Sequence, residues 1–198
     1  MRIINCEQNS PEWNAARCGI PTSSSFDKLI TTKGVPSKQK EKYLYTVAGE
    51  KVSGLKVETY QSFAMQQGII KEEEARNYYK MLYDVEVQKV GFCVSDNGSY
   101  GCSPDGLVGK DGGLEIKCPE IHTHVGYMLK GNLLEDYFQQ AQGSLFVTGR
   151  KWWDIMSYFA GLKPVIIRVT PDKAFHKALE VELAIFTKEL AELVEKIK

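Results

Sequence analysis

The stretch that most limits what this chain can become is residues 103–119, Ser-Pro-Asp-Gly-Leu-Val-Gly-Lys-Asp-Gly-Gly-Leu-Glu-Ile-Lys-Cys-Pro. Asp111-Gly112-Gly113 is a strong hairpin-turn signal, and it leads into Leu114-Glu115-Ile116-Lys117. On the other side of the turn, Asp105 follows a Ser-Pro turn and precedes the apolar Leu107 and Val108. Side chains alternate faces along a strand, so Glu115 and Lys117 share one face while Leu114 and Ile116 share the other. The string predicts two neighbouring strands that carry an aspartate, a glutamate and a lysine side by side.

Each residue type suits one chemistry. Two carboxylates and the intervening Ile116 carbonyl are hard oxygen donors suited to Mg²⁺ or Mn²⁺, ions that keep several waters and accept phosphate oxygens. Lys117, two residues from a ligand, would sit beside an activated water. There it can orient the nucleophile, help lower its pKa or neutralise charge on a pentacovalent phosphate. A phosphodiester is the natural substrate for such a set. The bland alternative is a solvated strand face with a weak ion pair and an ordinary Asp-Gly turn. Glu-x-Lys alone does not decide between them; the spacing of the whole string is far more restrictive.

Asp105, Glu115 and Lys117 match the PD-(D/E)XK nuclease motif. The flanking Cys-Ser-Pro-Asp-Gly-Leu and Gly-Leu-Glu-Ile-Lys-Cys-Pro resemble the lambda-exonuclease or YqaJ-type phage recombination exonucleases. Three further blocks resemble that family. Trp13, Arg17, Gly19, Ile20, Thr22 and Ser24 are similar to its Trp…Arg-x-Gly-(aliphatic)-x-Thr-x-Ser segment. Ala64 to Glu72 with Ala75-Arg76 resembles its Gly-x-x-x-Glu-x-x-Ala-Arg helix. Tyr137 to Gln142 with Val147-Thr148 resembles its Tyr-x-x-Gln-x-Gln…Val-Thr segment. Together the blocks span roughly residues 13–158 in the family's order.

The resemblance implies an α/β fold, a PD-(D/E)XK (restriction-endonuclease-like) core with a central mixed β-sheet flanked by helices. It implies a Mg²⁺-dependent 5′→3′ exonuclease on double-stranded DNA, releasing 5′-mononucleotides and leaving 3′ single-stranded overhangs. Carried over residue by residue, Asp105, Glu115 and the Ile116 carbonyl would bind one or two ions, with Mn²⁺ a possible substitute. Lys117 would assist the attacking water, and Glu72 and Gln140 would support the site. Arg17, Ser24, Ser103 and Gln140 would hold a 5′-terminal phosphate. The family also implies a ring-shaped homotrimer and a single-strand annealing protein as partner, in the cytoplasm of a bacterial host carrying a phage or prophage. A site- or structure-specific endonuclease with the same metal site is the alternative, because the motif fixes chemistry and not where a strand is cut. A non-catalytic scaffold is disfavoured by the presence of all three motif residues.

At 198 residues the chain fits a single nuclease domain, residues 1–198, with enough length for a sizeable core. With 25 basic and 25 acidic residues the formal charge is zero, which neither supports nor excludes a polyanionic substrate, because local potential steers DNA. Cys6, Cys18, Cys93, Cys102 and Cys118 are odd in number and lack a Cys-x-x-Cys pair, so neither a disulfide framework nor a zinc ribbon is favoured. The N-terminal sequence has no apolar segment of signal-peptide length and no run approaches a membrane span, so a soluble intracellular protein is expected.

Along the chain, Ser10-Pro11 opens a short helix to about Arg17, ended by Gly19. A second short helix is expected after the Thr22–Ser25 cluster, a loop at 33–38, and helices over 39–52 and about 62–82, the latter supported by Phe63, Ile70, Ala75, Tyr78 and Leu82. Strand signals run through Val85–Val94, then the hairpin; a helix is predicted over 134–146 and strands over Trp152–Tyr158 and Val165–Val169. Pro171-Asp172 opens a terminal helix whose Phe175, Leu179, Leu183, Phe186, Leu190, Val194 and Ile197 form one apolar stripe. Glu72, Glu73 and Glu74 point about 100° apart on a helix, so at most one faces a site, and the resemblance puts Glu72 first with Glu73 the runner-up. His122 and His124 read as surface or structural, at least one of Trp152 and Trp153 as core rather than base-stacking, since adjacent strand residues face opposite sides, and Asp96 as a turn residue to which no metal role is carried.

Overall fold

The computed structural model describes the backbone of residues 1–57 and 63–198 and, among these, all side chains except those of 63–70. Ser62 and the side chains of Phe63 and Ala64–Ile70 therefore lie outside the described residues. The elements run β1 (Arg2–Ile4), α1 (Pro11–Arg17), a 3₁₀ turn (Ser23–Lys28), α2 (Lys40–Ser53), α3 (Phe63–Tyr83), β2 (Val87–Gln88), β3 (Phe92–Val94) and β4 (Gly101–Cys102). They continue with β5 (Gly106–Val108), β6 (Gly112–Lys117), α4 (Ile121–Lys130), α5 (Leu133–Thr148), β7 (Trp152–Ser157), β8 (Val165–Val169) and α6 (Lys173–Ile197).

The main sheet has the order β2-β5-β6-β7-β8, antiparallel except for the parallel pair β6–β7; a small antiparallel sheet β1-β3-β4 stands beside it. Parallel neighbours need a crossover, and α4 and α5 supply it between Lys117 and Trp152. Both faces of β6 are covered. Leu114 and Ile116 join Val87, Val108, Met156 and Tyr158 under Ala75 and Tyr79 of α3. On the opposite face Leu107, Trp153, Ile155 and Val169 pack beneath α5 and α6 through Ala141, Leu145, Phe175, Leu179 and Phe186. This is the mixed sheet flanked by helices that the sequence predicts.

Local chemistry explains several element ends. Ser10 caps α1 by accepting the Trp13 N–H at 3.2 Å, with proline at the first helical position. Asp172 caps α6 by accepting from Ala174 and Phe175 at 3.0 Å. Gly112 and Gly113 open β6 because a Cβ there would come within 2.1 Å of the Trp152 and Trp153 rings respectively.

Several expectations are corrected. The hairpin turn lies at residues 109–111, with Gly109 at φ +51°, and Gly112 and Gly113 already belong to the strand. Val85–Val94 is two short strands in different sheets, broken at Lys89–Gly91, because Gly91 passes so close to the Ile4 and Cys6 carbonyls that a Cβ would clash. The second short helix begins at Ser23, inside the Thr/Ser cluster rather than after it. Ile197, assigned to the apolar stripe, is 47% exposed where α6 runs past the core, whereas Phe175 through Val194 are buried. Strand β1 and helix α4 went unread: β1 is three exposed residues, and α4 follows Cys-Pro-Glu without a serine, threonine or aspartate cap.

Candidate functional site

The site forms where β5 and β6 part. Their pairing begins at Gly106↔Leu114, so Asp105 lies just off the end of the ladder, and its Oδ2 accepts the Ile116 N–H at 2.6 Å. Strand geometry places the Ile116 carbonyl on that same edge. The Lys117 carbonyl accepts from Tyr158 N–H at 2.8 Å on the β7 side, and backbone groups of adjacent residues point to opposite edges. Asp105 and the Ile116 carbonyl are thus neighbours.

Glu115 and Lys117 project together toward α5. The Lys117 ammonium donates to Glu115 Oε1 at 2.8 Å, and the same oxygen accepts the Gln140 amide at 2.5 Å. The solvated-face alternative fails here, since Glu115 is 4% exposed and its Oε2 is buried without a hydrogen-bond partner. The Lys117 ammonium also lies 4.8 Å from the centre of the Tyr137 ring, a cation–π contact. Tyr137 sits at a break in α5, with φ −125° and ψ 15°.

The three glutamates of α3 separate as their spacing requires. Glu74 accepts from the Tyr158 hydroxyl at 2.7 Å, on the side away from the site. Glu73 binds Arg76 at 2.6 Å and Lys89 at 3.1 Å. Glu72 is the one whose charge reaches Asp105 and Glu115. Buried Arg76 donates through Nε to the Asp105 carbonyl at 2.9 Å, and its Nη2 lies 4.0 Å from Glu72. A cleft of about 390 Å³ opens beside Asp105, Glu72 and Arg76, walled by the 5–9 segment and Lys89.

A second cluster adjoins the first. Arg17 Nη1 donates to Ser103 Oγ at 2.6 Å and Nη2 to Ser24 Oγ at 3.5 Å, while the guanidinium stacks 4.0 Å above the Trp13 ring. Trp13 Nε1 also donates to Ser103 Oγ, at 3.0 Å. The structure therefore joins Arg17, Ser24 and Ser103, and places Gln140 instead on Glu115. Arg17 Nε is buried without a partner.

The electrostatics of the carboxylates are dominated by burial and mutual repulsion. Burial, then Glu115 and Glu72, push the Asp105 carboxyl well above its usual range, against Lys117 and the Ile116 N–H. Burial also raises Glu72; Arg76 opposes and Glu115 adds to the rise. For Lys117, burial acts to lower the ammonium, but Glu115 and Asp105 outweigh it and hold it above its ordinary value. Among the described residues no three His, Cys, Asp or Glu side chains converge as a ready ligand cluster. The donor set here is two carboxylates and a carbonyl, with Glu72 behind them. The unpartnered Glu115 Oε2 and the suppressed ionisation of Asp105 are what a hard divalent cation would relieve, so these residues fit one.

The remaining candidates fall outside the site. Asp96 is exposed and pairs with the N-terminal amine at 2.9 Å. His122 is exposed near Glu120, whereas His124 is fully buried between Ser157 Oγ at 2.8 Å and the Lys163 carbonyl at 3.1 Å, both on helix α4. Trp153 is core; Trp152 stacks under Arg168 at 3.8 Å. All five cysteines are free. Sequence reasoning gave no task to Trp13, Tyr137, Arg76 or Gln8. The first three lie within the quoted motif blocks, where a signal existed; Gln8 has none. Among the described residues no helix is long and apolar enough to cross a membrane.

Comparison with known proteins follows the same lines. Residues 12–151 match the family described as YqaJ-like viral recombinase domain. An alkaline exonuclease from Laribacter hongkongensis is 30% identical, with 95% of this chain and 96% of that one covered at a TM-score of 0.85. The structure of that exonuclease in complex with dAMP gives 31% identity and the same score, with 96% of each chain covered. A phage-related exonuclease from Haemophilus somnus, 13% identical over 93% of this chain and 99% of that one, shares the fold at a TM-score of 0.72. Nothing among curated proteins matches.

Proposed function

Since the chain belongs to the YqaJ-like viral recombinase family, we propose that it is a Mg²⁺-dependent exonuclease that degrades double-stranded DNA from 5′ ends. It releases 5′-mononucleotides and leaves 3′ single strands for phage-type recombination by strand annealing. The alkaline exonuclease it resembles, and the dAMP complex of that enzyme, support the reading. The observation that carries it is the convergence of Asp105, Glu115, Lys117 and Gln140 where β5 and β6 part.

Asp105, Glu115 and the Ile116 carbonyl hold one or two ions, with Mn²⁺ able to replace Mg²⁺ and Glu72 behind them. A cation held there would supply Lewis-acid chemistry, polarising the phosphoryl oxygens and lowering the pKa of a water ligand. Lys117, kept protonated by Glu115 and Asp105, orients that water and offsets charge on the phosphorane. Gln140 fixes the Glu115 oxygen that Lys117 shares, leaving Oε2 free to serve as a ligand. Arg17, Ser24 and Ser103 take the terminal 5′-phosphate, their two serine hydroxyls and guanidinium being already gathered.

The protein works as one nuclease domain over residues 1–198, assembled as a ring-shaped homotrimer on DNA and handing its product strand to a single-strand annealing protein in the bacterial cytoplasm. The test is Mg²⁺-dependent digestion of linear duplex labelled at the 5′ or 3′ end, beside a closed circle of the same sequence. Early release of 5′ label as mononucleotide with the circle intact is the expected result. Cutting of the circle establishes an endonuclease instead.

A further inference from the structure

We propose that Arg76 and Gln8 are positioning residues that set the spacing of the metal-binding carboxylates by gripping the backbone of the Ser-Pro-Asp turn. The inference rests on the metal-site reading above. Three consecutive residues of that turn are held from three directions. Ser103 Oγ accepts from Trp13 and Arg17 at 3.0 and 2.6 Å. The Pro104 carbonyl accepts the Gln8 amide at 2.8 Å, and the same amide nitrogen donates to the Val90 carbonyl at 2.9 Å. The Asp105 carbonyl accepts Arg76 Nε at 2.9 Å.

Arg76 does more than hold one carbonyl. Its guanidinium is planar, with donors fixed in a fork, so a contact made by one nitrogen constrains the others. One edge meets Asp105 on the strand side, Nη1 meets Glu73 at 2.6 Å and Nη2 faces Glu72 at 4.0 Å on the same helix. Glu72 is four residues before Arg76 and so stands on the same side of α3. One rigid group therefore fixes how far α3, carrying Glu72, stands from Asp105. At 5% exposure it is not free to swing into solvent. Arg76 has no oxygen to offer a metal and acts through the Asp105 carbonyl, and Gln8 acts through the Pro104 carbonyl beside it.

A lysine at position 76 keeps the charge and loses the fork, which separates geometry from electrostatics. The experiment measures Mn²⁺ affinity by electron paramagnetic resonance without DNA, on the full chain and its Arg76→Lys, Gln8→Ala and Asp105→Asn forms, with folding checked by near-ultraviolet circular dichroism. Loss of a partner behind a metal ligand typically weakens affinity about 10- to 100-fold, the range expected for Arg76→Lys. Gln8→Ala, on a half-buried residue, removes the neutral hydrogen bond to the Pro104 carbonyl and should weaken Mn²⁺ about 2- to 12-fold, testing the idea even if Arg76→Lys does not fold. Turnover of both variants should recover at saturating Mn²⁺ at a temperature where the metal-free variants are already fully folded, and the preference for 5′-phosphorylated ends should stay unchanged. Wild-type Mn²⁺ affinity in folded Arg76→Lys, or in Gln8→Ala, beside weakened binding in Asp105→Asn overturns the inference alone. Undiminished binding in Asp105→Asn overturns the metal reading and this inference with it.

Discussion

Replacing Arg17 with alanine should abolish the choice between 5′-phosphorylated and 5′-hydroxyl ends while leaving hydrolysis itself in place. The guanidinium already makes short contact with Ser103 at 2.6 Å and a longer one with Ser24 at 3.5 Å, both to hydroxyls that can turn toward an incoming phosphate. Its stacking on Trp13 at 4.0 Å holds the plane of the fork without consuming a donor. Nε is buried with no partner, so burial already disfavours the cation and a phosphate would restore what desolvation removes. A hydrogen bond to a charged group contributes roughly 1.5–3 kcal/mol, and 1.4 kcal/mol is a factor of ten. Loss of the fork should therefore cut the phosphate preference about 10- to 150-fold, expressed as the ratio of kcat/KM for the two ends. Arg17→Lys keeps a charge without the fork or the stacking and should fall between. The assay is competition between linear duplexes that differ only in the 5′ group, with cleavage of the hydroxyl end serving as the internal control for intact chemistry. An unchanged ratio in Arg17→Ala removes the residue from end recognition; equal loss on both ends makes it part of the hydrolytic machinery instead.

Other expectations follow from the same geometry. Lys117→Ala should lower turnover about 10²- to 10⁴-fold while DNA-end binding persists, checked by single-turnover kinetics and a binding titration; turnover near wild type excludes Lys117 from the chemistry. Glu72→Gln should raise the Mg²⁺ concentration needed for half-maximal activity at least about tenfold, and exposed Glu73→Gln less than about threefold; the reverse order would make Glu73 the site residue. Because Asp105 and Glu72 are raised in the fold, these two groups bind protons more tightly in the folded metal-free protein than in the unfolded chain. Their contribution to stability is therefore fullest below the unfolded carboxyl range near about pH 4 and is lost as pH rises through the raised values. Calorimetry should show that decline flattened by saturating Mg²⁺ and by Asp105→Asn, which should raise the metal-free Tm at neutral pH; a lowered Tm would mean that the Asp105 charge stabilises the metal-free fold.

The hydrolytic set was legible because its parts are local. Asp105, Glu115 and Lys117 sit in one hairpin, and period-two alternation alone puts Glu115 and Lys117 on one face. What alternation could not tell is that this face is closed by α5, which turns Glu-x-Lys from a solvated pair into a buried one. Helical spacing separated Glu72, Glu73 and Glu74, and in the structure Glu72 and Glu73 meet different nitrogens of Arg76 while Glu74 turns to Tyr158. The break at Tyr137 carries no proline or glycine signal, so its ring over Lys117 was invisible in the text of the chain. Gln8 acts on backbone carbonyls 82 and 96 residues away, a relation no local pattern encodes. The same limit explains why Val85–Val94 read as one strand: the pattern reports apolar alternation, and the switch between sheets is made by the close approach at Gly91.

The parallel pairing of β6 with β7 has a consequence for how such enzymes can diverge. Because the crossover returns the chain to the same sheet edge, Asp105, Glu115, Lys117 and Gln140 all lie within one continuous stretch ending at β7, while Arg17 and Ser24 come from far upstream and meet it through Ser103. The reading of the DNA end thus draws on an early passage of the gene and bond breaking chiefly on a later one, and the two meet at Ser103. Recombining residues 13–24 alone between relatives should change which ends are accepted more than how the phosphodiester is broken.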